Sequence, residues 1–222
     1  MKNMVDAVRL TALGCILLAA LLEVLSGISG RVPYAYAENI SDTDWVSFFG
    51  SEDMQAMEFS VTMLTPFGEQ HAIQKVTPKG KVTIDGKEYR ESVVIHDKGF
   101  LANKVIKTHL RMSNDGLYER RSDGTEILLV PRPLEVGQKW KNGNETRHFN
   151  GIEDFETFKQ TVPACARITV TTEELDLDGK TKVTKIIQYY ERGKGLIYKG
   201  TDDGPLGVTK ILNKYDSQTG SR

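Results

Sequence analysis

The chain has 222 residues, 39% hydrophobic and 27% charged, with a formal net charge of −1. That length suits a domain that completes its own core without disulfide or metal. A near-neutral balance with no polybasic run lacks the electrostatic footprint of a nucleic-acid binder or of an anionic-membrane docking segment.

Residues 1–37 read as a cleavable secretory signal. Lys2, Arg9 and the free amine give a positive start, Leu10 to Leu25 form the apolar run, and Ala35-Tyr36-Ala37 places small residues where signal peptidase reads them. Cleavage after Ala37 makes Glu38 the first mature residue. As a helix, Leu10 to Leu25 spans about 24 Å, short of the ~30 Å hydrocarbon core. Glu23 also interrupts it, which argues against a permanent anchor. The run continues past Cys15, which argues against lipidation at Ala12-Leu13-Gly14-Cys15. The expected address is extracytoplasmic, the periplasm rather than full secretion, with only transient membrane contact through the signal. Cys165 is then the one cysteine left, so no intrachain disulfide forms; its expected role is a small buried hydrophobe.

Residues 38–222 read as a single antiparallel β domain. Ser41 offers an N-cap, followed by Trp45, Phe48 and Phe49 at helical spacing, which predicts one short helix. Period-two alternation takes over after it. Phe59, Val61 and Met63 share one face of a strand, and Ile106, Thr108, Leu110 and Met112 share one face of another. Ala166, Ile168 and Val170 do so in a third. Such alternation means one buried and one wet face, and it puts Lys107, His109 and Arg111 on a solvated side. Turn signals agree: Asp-Gly at 85–86, 115–116, 123–124, 178–179 and 203–204, and Asn-Gly at 142–143 and 150–151. Pro131 and Pro133 end the run Ile127–Val130, and Pro131–Trp140 connects two halves of one sheet system. No helix-period segment separates strands, so parallel units are not expected. The predicted fold is a mainly β meander forming a curved sheet, half-barrel or open barrel.

Three stretches carry a resemblance. Asp115-Gly116-Leu117-Tyr118 precedes Leu128-Leu129-Val130-Pro131-Arg132-Pro133-Leu134 and Val136-Gly137-Gln138-Lys139-Trp140. Gly151-Ile152-Glu153, Val162-Pro163-Ala164, Tyr189-Tyr190 and Gly193-Lys194-Gly195-Leu196-Ile197 follow. In this order, over roughly residues 100–200, the chain resembles a loose group of uncharacterised exported bacterial proteins of half-barrel type. The resemblance implies a secreted curved-sheet fold with no established activity and no catalytic residues to transfer. Some similar half-barrels handle lipid or lipoprotein cargo, a fold-level analogy. Cys165 stands where the pattern prefers glycine, so the turn there is expected to differ.

Chemistry is hard to find. His71, His96, His109 and His148 make no short metal-ligand spacing, and there is no Gly-x-Ser-x-Gly elbow. Glu153, Asp154 and Glu156, and again Glu173, Glu174, Asp176 and Asp178, read as solvated charge near turns, not as the facing pair a glycosidase needs. Asp176-Leu177-Asp178-Gly179 lacks the remaining ligands of a calcium loop. Gly193-Lys194-Gly195 lacks a helix to present its amides to phosphate and reads as a bend. Trp140, Tyr189, Tyr190 and Tyr198 are candidates to line a pocket. No catalytic residue, metal site or cofactor is predicted. The expectation is a non-enzymatic envelope protein binding a small apolar ligand or an envelope protein. Two alternatives stand beside it: a hydrolase of envelope glycans or lipids with two or more inward carboxylates, or a His–carboxylate pair, within hydrogen-bond reach in one cleft, and an assembly subunit with a long exposed strand edge or large apolar patch.

Overall fold

The computed structural model describes residues 39–50, 55–65, 68–98, 102, 104–156, 160–175, 178–201 and 208–215. The proposed signal, with Ala37 and Glu38, lies outside them, as does Asp203-Gly204. Helix α1 (Asp42–Phe49) starts where the sequence places it. The Ser41 hydroxyl accepts from the Asp44 amide, and Asp42 and Asp44 sit at the positive end of the helix.

Twelve strands follow: β1 (Met57–Thr65), β2 (Gly68–Ile84), β3 (Lys87–His96), β4 (Val105–Ser113), β5 (Gly116–Arg120), β6 (Glu126–Pro131), β7 (Lys139–Asn142), β8 (Glu145–Glu156), β9 (Thr161–Leu175), β10 (Thr181–Glu191), β11 (Gly195–Thr201) and β12 (Val208–Tyr215). They form one antiparallel sheet in the order β6-β5-β4-β3-β2-β1-β12-β11-β10-β9-β8-β7. The sheet curves through 212° into a half-barrel. Each half is a hairpin meander, as the turn signals predict, and the β1–β12 pairing, Met57 opposite Tyr215 through Met63 opposite Val208, joins them at the centre.

Asn150-Gly151 departs from its predicted role. It lies inside β8, where the register against β9 shifts between Phe149 and Gly151. A bulge uses the same backbone tolerance as a turn, and Gly151 has φ of +119°. At the Cys165 departure the left-handed residue is Ala164, with φ of +52°, and Cys165 is an ordinary strand residue with no exposure.

The curved sheet puts the outer strands β6 and β7 within side-chain reach of each other. Asn142 bonds the backbone of Leu128 twice, donating Nδ2 to its carbonyl (2.6 Å) and accepting its amide at Oδ1 (3.2 Å). Trp140 Nε1 donates to the same carbonyl at 3.1 Å. The side chain of Asn142 thus satisfies the backbone N–H and C=O of Leu128 on the outer strand β6.

α1 fills part of the concave side. Trp45, Phe48 and Phe49 pack against Leu134, Phe149, Ala166, Ile168 and Tyr190 in one buried cluster. Trp45 Nε1 donates to the Pro131 carbonyl at 2.7 Å. The helix is tied at both ends: the Gly193 amide donates to the Ser47 carbonyl in its last turn, and Arg192 pairs with Asp44 in its first turn. Helix and sheet therefore share a core, and what the helix leaves unfilled becomes the site.

Candidate functional site

Beside α1 the concave face of β1–β5 holds a partly open cavity of about 270 Å³. Period-two alternation puts Ser92 and Val94 of β3 and Thr108, Leu110 and Met112 of β4 on one face. Phe59, Val76 and Leu117 extend that wall, and Phe48, Phe49 and Leu196 close the side toward the helix. A small, mostly apolar cavity with a few polar groups is the usual form of a small-molecule site. The polar lining is Gln55, Arg90, Ser92, Thr108, Glu119 and Lys194. Among the described residues Glu119 is its one carboxylate.

Of the four aromatics singled out in the sequence, Tyr190 lines this cavity. Burial pushes its phenol up to about 12, and its hydroxyl donates to Gln188 Oε1 at 3.0 Å, so it is a neutral wall residue. Trp140 packs against the same core, its indole committed to Leu128. Tyr189 and Tyr198 lie elsewhere, in a second cluster with Phe155, Val162, Cys165 and Ile197. Tyr189 follows β10's alternation away from its neighbour Tyr190, and stacks on Phe155 with ring centroids 4.3 Å apart. Cys165 in this cluster is buried and its thiol is pushed up to about 12 by desolvation, which keeps it protonated and unreactive.

The sequence identified the strands around the cavity but not its key polar residues. Gln55 sits just before β1 with no motif around it, and Glu119 looks like any charged strand residue until the curvature turns it inward.

Two groups expected to be solvated are not. Glu153 is mostly covered: it accepts from Arg167 and, at 2.6 Å, from the Tyr189 hydroxyl. On the outer face of β3 and β4, His109 meets Glu91 at 3.1 Å and stacks edge-on to Tyr89. Among described residues this is a His–carboxylate pair within bonding reach, but alternation puts it opposite the cavity. Beside it Glu126 receives two bonds from Arg111 (2.6 and 3.1 Å), one from Lys87 and one from the Tyr89 hydroxyl. On these outer faces long partner side chains cross the strands and cover part of the carboxylates, while Lys87 and Lys107 stay exposed. No group of three or more metal-ligating side chains occurs among the described residues.

The Arg111 bonds, with Lys87 and Tyr89, hold the Glu126 carboxyl down at about 2 from an ordinary 4.5. A depressed acid stabilises the fold above its unfolded value, and that contribution fades as pH falls from about 4.5 toward 2. Glu126→Gln is expected to remove about 1–2 kcal/mol at pH 7, less than the full shift implies because water still reaches the outer face. It should also flatten the loss of stability between pH 5 and 2 in urea unfolding; an unchanged acid slope would show that this network contributes nothing.

No family model matches the sequence, and no curated protein is similar to it. Two solved structures share the fold. One is a candidate exported protein with a YmcC-like fold from Bacteroides fragilis NCTC 9343, 10% identical, with a TM-score of 0.52 over 77% of this chain and 99% of that one. The other is a candidate lipoprotein from Parabacteroides distasonis ATCC 8503, 11% identical, with a TM-score of 0.51 over the same shares. At such identity the likeness establishes the half-barrel fold and nothing about the site.

Proposed function

We propose that this protein is a non-enzymatic, extracytoplasmic binding module whose half-barrel holds a small apolar ligand. The cavity between α1 and β1–β5 carries the reading. Its walls are Phe59, Val76, Val94, Leu110, Met112 and Leu117, held open in a fold whose other concave surface is filled by a helix. An apolar cavity left empty forfeits packing contacts that an apolar ligand would restore. The signal-like first 37 residues and the exported and lipoprotein descriptions of the two fold neighbours support an address outside the cytoplasm. Among the described residues Glu119 is the one carboxylate of the lining, so the hydrolase alternative has no facing acid pair there, and Asn142 bonds the Leu128 backbone on the outer strand β6.

The test is direct. Purified from its native host, the protein is extracted with organic solvent and the extract read by mass spectrometry. The stripped protein is then titrated with the fluorescent probe N-phenyl-1-naphthylamine. Saturable probe binding at one site, with a co-purifying amphiphile that displaces it, is the expected result. A stripped protein that leaves the probe dark would end this reading.

A further inference from the structure

We infer that the cavity selects an apolar chain with an uncharged, hydrogen-bond-donating head, hydroxyl or amide N–H, over chains ending in carboxylate or ammonium; this rests on the ligand-binding reading above. The polar lining is unevenly satisfied. Several of its donor side chains already have acceptors. Lys194 Nζ donates to Glu191 at 2.5 Å, the Thr108 hydroxyl reaches the Ser92 carbonyl at 3.5 Å, and Arg90 and Ser92 have partners of their own. Among its acceptors, Gln55 Oε1 is buried with no hydrogen-bond partner. Glu119 adds a half-buried carboxylate to the same lining, with electrostatic interactions with Tyr190 and Lys199.

These two acceptors reach one cavity from separate parts of the chain, Gln55 ahead of β1 and Glu119 on β5, with β2, β3 and β4 between them in the sheet. A buried acceptor without a donor keeps its desolvation cost, which a ligand O–H or N–H removes. A site built around such groups rejects the analogue that lacks the donor, because the acceptors are then left unmet. A carboxylate head would set a second anion and more lone pairs against Glu119 and Gln55. An ammonium head would satisfy both acceptors but would lie among the Arg90 and Lys194 cations of the same lining. The uncharged donor satisfies the acceptors without either conflict.

The experiment titrates the stripped protein with four amphiphiles of one chain length, monolaurin, methyl laurate, laurate and laurylamine, each displacing N-phenyl-1-naphthylamine. Monolaurin is expected to bind about fivefold or more tightly than the other three. Gln55→Leu and Glu119→Leu are each expected to weaken monolaurin roughly three- to tenfold while leaving methyl laurate within about twofold. Equal binding of laurate, laurylamine or methyl laurate overturns the inference, as do variants that weaken monolaurin and methyl laurate alike, and in these cases the apolar-site reading survives. Failure of all four to displace the probe removes both.

Discussion

Trp45→Ala is expected to lower the unfolding free energy by about 3–5 kcal/mol. Trp45 is 1% exposed. Its ring packs on Phe49 with centroids 5.5 Å apart, the Arg132 guanidinium lies over it, and its N–H meets the Pro131 carbonyl. Truncation therefore leaves a large cavity and an unmet buried carbonyl together. Trp45→Phe keeps most of the packing and loses the hydrogen bond, so it should fall between, at about 1–2 kcal/mol. Urea unfolding followed by far-ultraviolet circular dichroism measures both, since Trp140 complicates fluorescence. A loss under about 1 kcal/mol for the alanine variant would mean that α1 is a surface appendage rather than part of the core. The variant also bears on function. Phe48 and Phe49 form one side of the cavity, so loosening the helix should weaken probe binding along with stability.

The elements of this fold were legible because each rests on local chemistry. Ser41 caps the helix that its own hydroxyl starts. Asp85-Gly86 turns β2 into β3, with φ of +50° and +73° at its two residues, a conformation these residue types tolerate. The inward faces of β4 and β9 follow from alternation alone. What the sequence withheld is what closure decides. The β1–β12 pairing brings together segments about 150 residues apart, and neither strand carries a mark of its partner.

The site was legible only in part, for the same reason. Tyr189 and Tyr190 are neighbours in sequence and look equivalent, yet the pleat sends them to opposite faces, and only one lines the cavity. The residues that give the cavity its polarity are ordinary in sequence. Glu119 reads as wet strand charge until β5 curves toward the helix, and Gln55 reads as linker. The outer-face charges were misplaced because alternation reports which side a residue takes and says nothing of how far its partners reach. Glu126 is covered by Arg111, Lys87 and Tyr89, which come from two other strands.

The cavity's role has a sharper test than ligand chemistry, because its walls can be filled without touching its polar groups. Val94 and Leu110 face the void from β3 and β4. Val94→Phe with Leu110→Trp adds bulk to existing empty space, so it avoids the strain that overpacking a dense core brings, about 1–3 kcal/mol. The double variant is expected to keep its unfolding free energy within about 1–2 kcal/mol of the parent. Its affinity for an apolar probe should fall on the order of a hundredfold, since most of a ligand's contact area is lost. Ile95→Trp is the control. It neighbours Val94 on the opposite face of β3 and is 40% exposed, so it should leave affinity unchanged. If the filled variant still binds as the parent does, the ligand sits elsewhere and the void is a packing defect. If the control weakens binding equally, the effect travels through the sheet and the wall residues have no special part. Only the split between the two faces of one strand ties binding to the space that α1 and the half-barrel leave between them.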